Sequence, residues 1–145
     1  MIVLCLVAII VQEGRMLFNR RELDVLSILC ASGESLTAMQ IVGKKGGLTQ
    51  STVTAVLRNL LRAGLVEVDG VTHSGKVLSR MYKPSEICKQ EITEYFQELY
   101  NKVVNVVSLS EVCGFILNQE AADGSALKDE ITQMKKTVRE FEKML

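Results

Sequence analysis

The residues best equipped to act on a partner fall in one short segment: Ser51, Thr52, Thr54, Ala55, Arg58, Asn59 and Arg62. They remain when Val53, Val56, Leu57, Leu60 and Leu61 are set aside. Those five recur at spacings of three and four, the period of one buried helix face. The chemistry left on the opposite face is recognition rather than bond-making. Short hydroxyls near a helix start allow close approach to phosphates and base edges, and an arginine further along reaches a guanine edge or a phosphate. An ordinary solvated helix also carries Thr and Arg, so the surroundings decide. Lys44 and Lys45 precede the segment, and Lys76, Arg80 and Lys83 follow it, a second set of charges suited to gripping a phosphate backbone.

The elements that must position these residues are marked by local signals. Asn19 is followed by Glu22, with Phe18 before it and Leu23 after, which predicts a helix cap, a reciprocal carboxylate and a hydrophobic staple. Thr37 repeats the device with Gln40, Leu36 and Ile41. Thr49 offers a third cap with the staple pair Leu48 and Val53, but Thr52 stands where an acid or amide would complete the box. Gly33 follows the first helix, Gly46 and Gly47 occupy the turn, and Gly64 follows the third helix. Leu65, Val66 and Val68 then begin a strand, Asp69, Gly70 and a Gly75 turn follow, and Val77 to Lys83 returns to a closing Pro84. Three short helices and a hairpin in this order predict a winged helix-turn-helix, which points to DNA.

Charge divides the chain although its net value is zero. Residues 17–84 hold nine Lys and Arg against five Asp and Glu, a net of plus four, whereas residues 85–145 hold seven against eleven, a net of minus four. The expected organisation is therefore an apolar leader over residues 1–16, a DNA-binding domain over 17–84 and a helical dimerisation domain over 85–145. The fold class is mainly α with a small β-hairpin. Ser85 is expected to cap a long helix bearing Cys88, Ile92, Tyr95, Phe96, Leu99, Val103 and Val106, and Ser108 with Glu111 to box a shorter one through Phe115 and Ile116, stapled by Val107 and Val112. After a break at Asp123 and Gly124, Leu127, Ile131, Met134, Val138, Phe141 and Leu145 form a heptad stripe. Three helices of this length make too small a core alone, so self-association is the expected remedy, with Leu99, Val103, Leu127, Ile131, Met134, Val138 and Phe141 in the seam.

The run FNRRELDVLSILCASGESLTAMQIV, then LTQSTVTAVLRNLLRAGLVEV, a short wing, RMYKPS and an acidic helical tail resembles the penicillinase-repressor (BlaI/MecI/CopY) family of transcriptional regulators. The resemblance covers residues 17–145 and is strongest at Thr52, Val53, Leu57, Leu60, Gly64 and Leu65. It implies a homodimeric repressor on an inverted-repeat operator of double-stranded DNA, controlling a resistance or stress operon and released through a sensor-linked protease. It also implies that the recognition helix begins after Thr49 and presents Ser51, Thr52, Thr54, Ala55 and Arg58. The family's common basic residue after the Thr-Val pair is Thr54 here, its following Thr is Ala55, and its Arg before the second Leu is Asn59. These departures bear on operator sequence and leave the fold expectation intact. The copper-sensing members end in clustered cysteines, and this tail, ending Phe141, Glu142, Lys143, Met144, Leu145, has no such cluster.

Other chemistries find little support. Cys5, Cys30, Cys88 and Cys113 lie far apart and mostly on apolar stripes, which predicts small buried thiols in a reducing cytoplasm, not a metal site or a disulfide frame. The single His73 is expected to be a solvent-facing loop residue. No glycine-rich phosphate loop, nucleophile motif or paired carboxylate occurs, so neither an enzyme nor a cofactor is expected. A winged-helix module that uses the same surface against another protein is the alternative function. Met1 to Val11 is apolar but lacks the basic start and cleavage site of a secretory signal, and is short for a bilayer span. Translation is expected to start at Met16, making the first fifteen residues an extension; a strand or membrane-touching arm is the alternative. No membrane contact is expected after Met16.

Overall fold

The computed structural model describes residues 18–120 and 126–145. The leader over residues 1–16 and the Asp123 and Gly124 break lie outside the described residues. Helix α1 spans Arg20–Ser32, β1 Leu36–Thr37, α2 Ala38–Lys44 and α3 Gln50–Arg62, followed by β2 at Val66–Ser74 and β3 at Val77–Pro84. Helices α4 (Cys88–Val103), α5 (Leu109–Glu120) and α6 (Ala126–Glu142) complete the chain. The fold is a winged helix followed by helices, mainly α with one small sheet.

Each winged-helix start is capped where the sequence marks it. Asn19 Oδ1 accepts from the Glu22 N–H at 2.9 Å, and a Glu22 carboxylate oxygen accepts from the Asn19 N–H at 3.0 Å. This reciprocal pair satisfies Glu22, a carboxylate that is otherwise almost wholly buried. Thr37 and Gln40 form the same box at the start of α2. Thr49 caps α3 through the Thr52 N–H at 3.2 Å, without a reciprocal partner. Gly33 ends α1 with φ 67°, a left-handed backbone that a Cβ would strain.

The sheet runs in the order β1-β3-β2, all antiparallel. β1 is an addition to the expected three helices and hairpin: Leu36 pairs with Tyr82 and Thr37 with Met81. Thr37 therefore closes a sheet edge and caps the next helix within one residue. β2 and β3 form the wing, from Val66 opposite Pro84 to Ser74 opposite Val77. Asp69 and Gly70 continue the strand as an irregularity between Val68 and Val71, where Gly70 takes φ 111°.

The core lies under α3. Val53, Val56, Leu57 and Leu60 are buried against Val25, Leu26 and Leu29 of α1, Leu36 of β1, Ile41 of α2, and Leu65 and Val66 of β2. Each such aliphatic chain contributes about 1.5–3 kcal/mol of burial, so the inward face of α3 is fixed and its outward face is fixed with it. Leu61, the fifth residue of the inward set, is only partly buried.

The chain separates into two compact units, the first ending at Phe96 and the second starting at Gln97. The first runs past Pro84 because the opening turns of α4 belong to it. Cys88 is buried in the core, Ile92 packs on it, and the Tyr95 ring meets Phe18 edge-on with centroids 5.0 Å apart. Ser85 does not cap α4 with its side chain, as the sequence suggests; its hydroxyl donates to the Gly64 carbonyl at 2.6 Å. In the second unit the Ser108 and Glu111 box is present, with Glu111 accepting from the Ser108 N–H at 2.8 Å. Among the described residues after Phe96 no side chain is buried, and Leu99, Val103, Met134, Val138 and Phe141 are all exposed while Leu127 and Ile131 are half-buried. The apolar stripe is shorter than expected. Val106 lies beyond the end of α4, and Leu145 lies beyond the end of α6.

Candidate nucleic-acid interface

The outward face of α3 carries Ser51, Thr54, Ala55, Arg58, Asn59 and Arg62, all exposed. Thr52 is half-buried and hydrogen-bonded through its hydroxyl to Thr49 at 2.9 Å, while the Ser51 hydroxyl lies 3.1 Å from that of Thr49. Thr52 thus stiffens the first turn of α3, and Ser51 beside it faces solvent. Gln50, the exposed first residue of α3, was not singled out by periodicity, since it precedes the first apolar position. Its amide has the donor and acceptor pair that fits an adenine edge.

The basic residues sort into two groups. Lys45 Nζ lies 2.5 Å from Asp24 Oδ1, and Arg21 lies 3.7 Å from the same carboxylate. Lys83 bridges Asp69 at 3.0 Å and Glu67 at 3.3 Å, and Asp69 also accepts a hydrogen bond from the Ser35 hydroxyl. Asp24 is held below its ordinary acidity range by the Lys45 hydrogen bond, and Asp69 by those from Ser35 and then Lys83. The hydrogen bonds Lys83 donates to Asp69 and then to Glu67 push its own pKa up. Lys44, Arg58, Arg62, Lys76 and Arg80 are exposed and have no carboxylate partner among the described residues. The structure thus divides the expected phosphate contacts. Lys45 and Lys83 bring a carboxylate with them, which weakens the local potential however little an exposed ion pair itself contributes to stability.

Wing geometry places the remaining cations. Ser74 pairs with Val77, leaving Gly75 and Lys76 as a two-residue loop in which Gly75 has φ 65° and no other residue type in the described chain has positive φ. A glycine at the first loop position suits a type II′ turn and puts Lys76 at the wing tip. Arg80 faces Val71 across the strands, and His73, an exposed strand residue and not part of a loop, faces Leu78. Among the described residues no group of His, Cys, Asp and Glu could hold a metal ion, and no helix is long and apolar enough to cross a membrane. Cys30 is exposed, Cys113 is half-buried and only Cys88 of the described cysteines is buried, which corrects the expectation of generally buried thiols.

No family model and no curated protein matches the sequence. Solved structures do. The chain is similar to a MarR family regulator from Neisseria meningitidis at 25% identity and a TM-score of 0.42, with 95% of this chain and 90% of that one covered. It is similar to Bacillus subtilis PadR in complex with operator DNA at 18% identity and a TM-score of 0.42, covering 80% of this chain and 76% of that one. The adhesin competence repressor of Streptococcus pyogenes is similar at 17% identity and a TM-score of 0.43, over 96% of this chain and 91% of that one.

Proposed function

We propose that this chain is a sequence-specific DNA-binding transcriptional regulator that works as a homodimer, with α3 in the major groove and the wing on the flanking backbone. The observation that carries the reading is the sorting of charge. Arg58 and Arg62 on α3, Lys44 at the end of α2, and Lys76 and Arg80 on the wing are exposed and free of carboxylate partners among the described residues. A phosphate recruits such cations without breaking an ion pair, and counterion release makes the affinity salt-dependent. Residues 17–84 supply the DNA-binding part and residues 85–145 the dimer. Support for the dimer comes from the exposed apolar side chains after Phe96, which a second copy of the same surface would cover by two-fold symmetry.

Within this class the finer reading is a repressor of the penicillinase-repressor type on an inverted-repeat operator, released through a sensor-linked protease; the sequence resemblance supports it. One observation favours a protein-interaction module instead. On the wing, Val71, Val77 and Leu78 are 61%, 67% and 62% exposed, more apolar surface than a phosphate grip requires. A genomic binding map separates the two readings. Discrete sites sharing an inverted repeat support the regulator, and an absence of sites above background supports the interaction module.

A further inference from the structure

The exposed face of α3 has one side chain that can neither donate nor accept a hydrogen bond. Gln50, Ser51, Thr54, Arg58, Asn59 and Arg62 all carry polar atoms, whereas exposed Ala55 carries a methyl group alone. By helical periodicity Ala55 lies nearly opposite the buried row of Val53, Val56, Leu57 and Leu60, close to the middle of the outward face. Its neighbour one turn toward the N-terminus, Ser51, is short, and its hydroxyl is turned back to that of Thr49 at 3.1 Å. The helix surface is therefore low around Ala55, and the backbone can approach a partner closely there.

We propose that Ala55 is the thymine reader of the operator half-site, packing its methyl group against the C5-methyl of one thymine. The inference rests on the reading that α3 enters the major groove. Polar side chains find matching atoms on every base pair in that groove, but an exposed methyl has one chemical counterpart, the methyl group of thymine. A purine at the same place would set N7 and its exocyclic group under Ala55. Those polar atoms would lose water without gaining a partner, which costs free energy. Cytosine would present an amino donor to the same methyl group and offer no methyl of its own.

Alanine is also the best helix former, and propensity alone would favour it on a solvated face. The two roles differ in one measurable respect. Only a thymine reader makes the affinity depend on a methyl group of the DNA. Thr54, beside Ala55, has a methyl group too, but it shares its β-carbon with a hydroxyl, so Thr54→Ser separates its contribution from that of Ala55.

The test changes the DNA and leaves the full chain as it is. The most enriched duplex selected by the protein from random sequences is remade with each thymine replaced singly by deoxyuridine, which removes the C5-methyl and leaves the polar base edges intact. Affinities are then titrated at one salt concentration. The expected result is one thymine in each half-site whose replacement weakens binding by about fourfold, the equivalent of one methyl group returned to water. Ala55→Gly should bind the thymine and deoxyuridine duplexes equally at that position, and Ala55→Ser, a second variant in case glycine unsettles the helix, should likewise lose the preference. Thr54→Ser should keep it. An enriched duplex in which no replacement matters, or whose sensitive thymine stays sensitive in both Ala55 variants, would overturn the assignment and leave the DNA-binding reading standing. Absence of any enriched duplex would overturn both.

Discussion

Lys45 Nζ stands 2.5 Å from Asp24 Oδ1, so two adjacent lysines at the turn before α3 have opposite electrostatic surroundings. Lys44 is free of carboxylate partners among the described residues, and Lys45 is matched. Lys44→Ala is expected to make the salt dependence of DNA binding shallower by about one unit, as one lost phosphate contact does. Lys45→Ala should change it much less. Binding titrations over a salt series check this, and equal slopes for the two variants would refute the distinction.

Reading and gripping should separate in the same assay. Substituting Thr54 or Arg58 on α3 is expected to cost on the order of 1–3 kcal/mol for each base contact, on operator only. Substituting Lys76 and Arg80 should weaken operator and random DNA alike. If Arg58→Ala loses both affinities by the same factor, Arg58 grips phosphate and the base-reading role falls to the first turn of α3.

The local parts of this design were legible in the sequence because their causes are local. Asn19 and Glu22 are one helical turn apart, and the buried set from Val53 to Leu60 repeats within one helix, so cap and face follow from spacing. What escaped depends on residues distant in the chain. β1 exists because Leu36 finds Tyr82, and Ser85 is diverted from capping by the carbonyl of Gly64. Lys45 and Lys83 look like free cations until the fold brings Asp24, Glu67 and Asp69 to them. Cys30 looks buried because it lies four residues beyond Leu26, yet the inward row of α1 passes through Leu29 and leaves Cys30 exposed.

The Asp69 carboxylate gives the wing base an acid limit. Its folded pKa lies below the ordinary 3.8, through the hydrogen bonds from the Ser35 hydroxyl and then Lys83. A depressed carboxylate contributes stability that is present above its unfolded value and is lost as pH falls through the folded one. Thermal midpoints are therefore expected to fall as pH is lowered from about 5, and Asp69→Asn should flatten part of that fall. An identical pH profile for the variant would remove Asp69 from the account.

Self-association is expected to depend on the second unit. Ile131 and Val138 both line a groove with Leu117 and Met134, Ile131 half-buried and Val138 55% exposed. Replacing both with Asp would place charge in the proposed seam, and sedimentation should show a monomer whose winged-helix unit remains folded. A dimer that survives at low micromolar concentration would place the seam elsewhere.

The central claim is that α3 reads DNA as one half of a two-fold pair. Selection from random-sequence duplexes by the purified protein, at physiological salt and followed by sequencing, tests it most directly. The account predicts enrichment of an inverted repeat whose half-site centres lie one or more whole helical turns apart, about 10–10.5 base pairs for each turn. Recovery of no enriched sequence, or of a single unrepeated site, would contradict it.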